Sequence, residues 1–211
     1  MSSGNPETRE KILRAAWKLL EAADGREVRM SDIAKAAGVS RQALYLHFPK
    51  RSDLLVATTR YIDDVKDVDA RLAASRSAKT GVERIGAFID AWGNYIPEIY
   101  GVGKALMIMG DKESDARIAW DDRMRAVRDG CHAAVRALHR DGRLAAEHSV
   151  EHATDFLWTL LSVRNWEQLT IDCGWSQALY IEKTKSLALR LLVDDFKPTN
   201  TKVHLARNGL S

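Results

Sequence analysis

Apolar positions recur three and four apart along almost the whole of this 211-residue chain, which is the period of helices that each bury one face. Asn5 and Pro6 supply a helix cap and a first-turn proline, and Ile12, Ala16, Leu19, Leu20 and Ala23 follow as one stripe with Trp17. No segment shows the two-residue alternation of a strand. Pro6, Pro49, Pro97 and Pro198 all fall where the pattern begins or ends a helix. The chain is therefore expected to be all-α. Beyond residue 50, helices are expected over 51–74, 82–96, 98–109, 113–140, 150–171 and 177–196, with turns at Asp141-Gly142 and Cys173-Gly174.

The stretch Ser31 to Phe48 departs from this run of long helices. Ile33, Ala34 and Ala37 give a short helix one apolar stripe, and Gly38 stops it by allowing a left-handed turn. Val39 fills the corner, Ser40 caps a second short helix, and Leu44 and Phe48 face inward at i, i+4. The outward residues are Arg41, Gln42, Ala43, Tyr45 and His47. They offer guanidinium and amide forks for base edges, a methyl for thymine and a hydroxyl for phosphate, on a helix of the size that enters a major groove.

Ile33-Ala34, Ala37-Gly-Val-Ser40 and Leu44-Tyr-Leu-His-Phe48 resemble the motif of the TetR-family repressors. The likeness is close over the first 55 residues or so, and beyond them it extends only to length, layout and a late Trp-rich segment. Arg29 stands where the family places a Thr or Ser cap, with Ser31 as a substitute, and Lys50 replaces a common capping Ser. An uncapped helix start beside Lys50 and Arg51 is expected to receive a DNA phosphate. The candidate DNA-binding residues are thus Ser40, Arg41, Gln42, Ala43, Tyr45, His47, Lys50 and Arg51.

Charge follows the same division. Residues 1–60 hold eleven Lys or Arg against seven Asp or Glu, a balance of +4, whereas the remainder carries −1, so the net +3 lies in the motif region. The expected organisation is a helix-turn-helix DNA-binding domain at 1–50, a connecting helix at 51–75, an effector-binding and dimerisation domain at 76–196 and a flexible tail at 197–211.

Eleven of the fifteen aromatics lie within residues 76–196. Rings and flexible thioethers suit an apolar or aromatic effector, although such residues serve equally as ordinary core. Trp92, Tyr95, Tyr100, Met107, Trp120, Met124, Phe156, Asn165 and Trp166 are the candidate effector contacts, and Asn94 and His132 are further polar candidates. The helix at 177–196 is apolar over a wider arc than one core face requires. With the helix at 150–171 it is expected to form a four-helix homodimer interface, of the kind the family resemblance implies. Two recognition helices would then stand about one DNA turn apart, roughly 34–36 Å, over a palindromic operator.

Other classes find less support. No apolar run approaches the ~18 residues of a membrane span and the first residues lack a secretion signal, so a cytoplasmic protein is expected. Cys131 and Cys173, two and far apart, are expected to be buried free thiols. His148 and His152 lie one helical turn apart as a metal pair would, but Glu151 stands beside the second histidine and spacing supplies no third ligand. No Gly-rich phosphate loop or nucleophile elbow is present. No cofactor, metal or enzymatic activity is expected. The remaining alternatives are a helix-turn-helix protein answering to a protein partner, favoured by a body without a cavity, and a metal-dependent helical enzyme.

Overall fold

The computed structural model describes residues 5–23 and 26–194. Ten α-helices account for nearly all of them: α1 Pro6–Glu21, α2 Met30–Ala37, α3 Arg41–His47, α4 Arg51–Val65, α5 Val68–Arg76, α6 Gly81–Gly110, α7 Ser114–Arg140, α8 Val150–Leu160, α9 Val163–Glu167 and α10 Gln177–Leu192. A π-helical turn, Gln168–Asp172, continues α9. The region at 197–211, expected to be a flexible tail, lies outside the described residues.

Two apolar clusters hold the molecule. The first joins Ile12, Leu13, Ala16 and Leu20 of α1 to Ile33, Leu44, Phe48, Leu54 and Leu55, and it continues into Val102, Leu106 and Met109 of α6 and Ala116 and Ala119 of α7. The head therefore shares its core with the body. The second cluster gathers α6, α7, α8 and α10 around Ile85, Ile89, Trp92, Ile96, Val135, Leu138, Leu157 and Tyr180.

Three long helices differ from the pattern-based expectation, each for a local reason. The helix expected over 51–74 is divided at Lys66-Asp67, where Asp67 adopts φ 52° and its carboxylate accepts from the Ala70 amide at 3.2 Å, starting α5 afresh. Conversely, α6 runs through Pro97 as one 30-residue helix where two helices were expected. A proline leaves the carbonyl four residues back without its helical donor. Here that carbonyl, Gly93 O, accepts from Gln177 Nε2 at 2.7 Å. The helix expected over 150–171 ends at Leu161, whose carbonyl accepts from Trp92 Nε1 at 2.8 Å, and Ser162 caps α9 through the Asn165 amide at 3.1 Å.

Candidate DNA-reading face and ligand cavity

The corner between α2 and α3 forms as its residues dictate. Gly38 takes φ 67°, and Ser40 Oγ accepts from the Ala43 amide at 3.0 Å. Leu44 is fully buried and Phe48 nearly so, with the Arg9 guanidinium 5.0 Å from the Phe48 ring centre. Arg41, Gln42 and Tyr45 are exposed on the opposite side, and Ala43 and His47 are partly exposed. Leu46, absent from the sequence candidates, is 77% exposed on the same helix. The signal was present in its offset, since two positions beyond buried Leu44 is a rotation of about 200°.

The helix starts flanking α3 lack side-chain caps. Arg29 occupies the N-cap of α2 and makes no cap bond, and Ser31 lies inside the first turn rather than substituting for it. Lys50 is the exposed, uncapped N-cap of α4. Arg51 corrects the sequence expectation. Its side chain is only 14% exposed and is turned inward, forming an ion pair with Glu113 at 2.6 Å and donating to the Val28 carbonyl at 3.0 Å, with Met109 Sδ at 3.9 Å. Its donors are spent on the body and on the segment before α2, so Arg51 is not placed as a phosphate contact.

A cavity of about 480 Å³ opens among α4, α5, α6 and α7. On α6 the wall follows Arg84, Phe88, Ala91, Trp92, Tyr95, Ile99, Val102, Gly103 and Leu106, with Tyr100 beside them. Facing them are Trp120, Arg123, Met124, Val127, Gly130 and Ala133 of α7 and Ile62, Val68, Leu72 and Ser75 of α4 and α5. Gly130 permits the closest approach: a Cβ there would stand 2.5 Å from the Phe88 ring.

Five sequence candidates line this cavity: Trp92, Tyr95, Tyr100, Trp120 and Met124. Four do not. Met107 lies one position beyond Leu106, rotated into the second core cluster. Trp166 packs behind Tyr100 at 5.0 Å and donates to Gln177 Oε1 at 2.9 Å. Asn165 spends its amide on the Thr159 carbonyl at 2.5 Å, and Phe156 is 46% exposed on the outer side of α8. Asn94 bonds the Asp90 carbonyl at 2.9 Å and His132 approaches Thr154 at 3.4 Å, neither in the cavity wall.

Charged groups at the cavity were not legible, because arginines on a helix pattern as solvated surface. Tyr95 donates to Asp63 at 2.7 Å, and Asp63 also pairs with Arg123. Burial holds the Tyr95 phenol well above its ordinary pKa, so it remains a donor at neutral pH. Arg123 is pushed down by its burial and by Arg60. Arg71 lies 5.4 Å from the Tyr95 ring centre and bonds Glu98 at 2.8 Å, and Lys66 reaches Glu98 at 3.2 Å. Burial raises the Glu98 carboxyl, but hydrogen bonds from Lys66 and Arg71 outweigh it and hold the group below the usual range.

Elsewhere, His148 Nε2 lies 3.1 Å from the Leu191 carbonyl, and His152 is exposed. Cys131 is buried, whereas Cys173 is exposed, contrary to expectation. Among the described residues no helix is long and apolar enough to cross a membrane.

An exposed polar α3 held at a glycine corner defines the class: a helix-turn-helix DNA-binding transcription regulator. Residues 12–58 match the family model "Bacterial regulatory proteins, tetR family". Residues 12–58 thus carry the DNA-binding helix-turn-helix of that family, and the rest of the chain lies outside the match. The chain is 28% identical over 109 residues to the nucleoid occlusion factor SlmA of Salmonella paratyphi B, covering 49% of this chain and 55% of that one. SlmA of Marinobacter nauticus is 24% identical over 116 residues, covering 54% and 60%. The matches thus span little more than half the length of these relatives. Likeness of fold extends further. FadR of Bacillus subtilis, solved with stearoyl-CoA, superposes with a TM-score of 0.70 at 13% identity over 86% of this chain and 98% of its own. A protein from Saccharomonospora viridis in complex with choline gives 0.69 at 20% identity over 90% and 100%.

Proposed function

We propose that this protein is a cytoplasmic, homodimeric repressor that binds a palindromic operator through α3 and leaves it when a small, mostly apolar or aromatic molecule enters the cavity. The observation that carries the reading is the continuity between head and cavity. Leu106 belongs both to the cavity wall and to the core that holds α1 and α4, so a ligand displacing it acts on the head directly. Arg51 adds a second link. It ties the first turn of α4 to Glu113 at the start of α7, seven residues before the cavity-lining Trp120.

On the DNA side, Gln42 and Arg41 would read base edges, Ser40, Tyr45, His47 and Lys50 would reach the backbone or groove edge, and Ala43 with Leu46 would meet thymine methyls. For dimerisation, Phe156 on α8 and Leu187 on α10 are 46% and 51% exposed, large apolar side chains that a second copy would cover. The divisions at 1–50, 51–75 and 76–196 serve as functional rather than structural boundaries, since the apolar core crosses them. The presence of a cavity favours a small molecule over a protein partner as the signal. Liganded fold relatives, one with choline and one with stearoyl-CoA, fit that preference without indicating the ligand.

Fluorescence anisotropy on DNA flanking the protein's own gene, at about 150 mM salt with excess scrambled competitor, tests the reading, because non-specific binding is mostly electrostatic and salt-sensitive. Competitor-resistant binding is expected. Equal binding to all sequences, or none across a genomic fragment pool, would overturn it.

A further inference from the structure

The cavity is elongated, and its two ends differ chemically. Antiparallel α6 and α7 bring Gly103 to Trp120 at one end and Phe88 to Gly130 at the other. The lining from Trp120 to Ala133 of α7 therefore extends about 20 Å at 1.5 Å per residue. The end beside the head is apolar, walled by Ile62, Val102, Leu106 and Trp120. The far end carries Ser75, Arg76, Arg84 and Asp129.

Four arginines contact the cavity, and three have carboxylate partners: Arg71 with Glu98 and Arg76 with Asp69, both at 2.8 Å, and Arg123 with Asp63. Arg84 is partly buried, and among the described residues it has no carboxylate within ion-pair distance. A guanidinium half withdrawn from water beside an apolar chamber favours an incoming anion, and its planar fork matches a carboxylate. Acidic groups set the orientation. In an adjoining groove at the α4–α5 break, Asp63, Asp64, Asp67, Asp69, Asp122 and Asp129 outnumber Arg60, Arg123 and Arg125, so that groove is net acidic and would disfavour an anionic head, and Asp129 reaches both spaces. The anion thus belongs at Arg84, with the apolar body directed toward Leu106 and Trp120.

From this polarity we infer that the effector is an amphipathic organic carboxylate, bound with its carboxylate on Arg84 and its apolar body toward the DNA-binding head. The inference rests on the cavity being an effector site. Isothermal titration calorimetry of the full-length protein with decanoate, decanol and decyltrimethylammonium separates charge from chain. Decanoate is expected to bind tightest. Arg84→Gln is expected to weaken decanoate about tenfold while leaving decanol unchanged, and Arg84→Lys, which keeps charge but loses the fork, to fall between. Loss of decanol binding as well would point to misfolding, and a circular-dichroism melt of Arg84→Lys then decides with a folded variant.

Equal or tighter binding of the ammonium probe would overturn the inference, as would an Arg84→Gln affinity for decanoate matching the parent. Binding of none of the three would contradict it too. Carboxylate binding at Arg84 that leaves operator affinity unchanged would sustain the ligand class while defeating the repressor reading, so the two failures are distinguishable.

Discussion

Arg51 and Lys50 are neighbours in sequence with opposite fates. Lys50 is exposed at an uncapped helix start, whereas Arg51 is held by Glu113 and the Val28 carbonyl. Replacing Lys50 with Ala is expected to weaken binding to all duplexes and to lower the slope of log affinity against log salt by about one unit. Arg51→Ala should leave that slope unaltered but lower stability by about 2 kcal/mol, because a partly buried Glu113 carboxylate loses its ion-pair partner. Salt-dependent anisotropy and thermal melting of the two variants check the contrast. Gln42→Ala is expected to relax base preference without changing the slope. At this scale the buried face of α3 was legible from Leu44 and Phe48. The inward turn of Arg51 was not, because its partner lies 62 positions away and nothing local distinguishes it from a phosphate-binding arginine.

Among the elements, α6 shows where a local rule yields to a tertiary partner. Pro97 marks a helix end by its chemistry, yet the carbonyl it orphans is satisfied by Gln177, whose side chain also accepts from Trp166. Gln177→Ala should therefore cost about 1–3 kcal/mol by leaving the Gly93 carbonyl unpaired. In a Pro97→Ala background the new amide can serve that carbonyl, and the cost of Gln177→Ala should shrink. A double-mutant cycle by denaturant unfolding measures the coupling, and strict additivity would remove this explanation of the continuous helix. The division of α4 from α5 had no sequence signal, since a left-handed Asp67 replaces the glycine such a turn usually announces. Ser162, by contrast, is an ordinary helix cap that the apolar periodicity around it obscured.

For the molecule as a whole, the head and body share one apolar cluster, and charged links brace the joint. Glu98 gathers Lys66 and Arg71 across the α4–α5 break. Because its folded-state pKa is lowered, its contribution is complete above the unfolded value of 4.5 and is lost as pH falls through the lower folded value. Glu98→Gln is therefore expected to be less stable than the parent at neutral pH, by about 1 kcal/mol or less, with the difference vanishing in strong acid. Thermal melts from neutral pH into the acid range test the sign. Charge and aromatic content divide along the chain, and that division is what suggests a two-part layout. Residues such as Leu106 that serve both parts were not legible, since periodicity shows only that a face is buried and not against what.

The central claim, a two-fold reader of DNA sequence, is tested most directly by selection from a pool of random duplexes with the full-length protein, followed by sequencing of the bound fraction. The account predicts enrichment of one palindrome whose half-sites lie about one helical turn apart or at a related spacing, and loss of base preference within the half-site for Gln42→Ala. A bound pool with no enriched motif, or a single unpaired half-site, would contradict it.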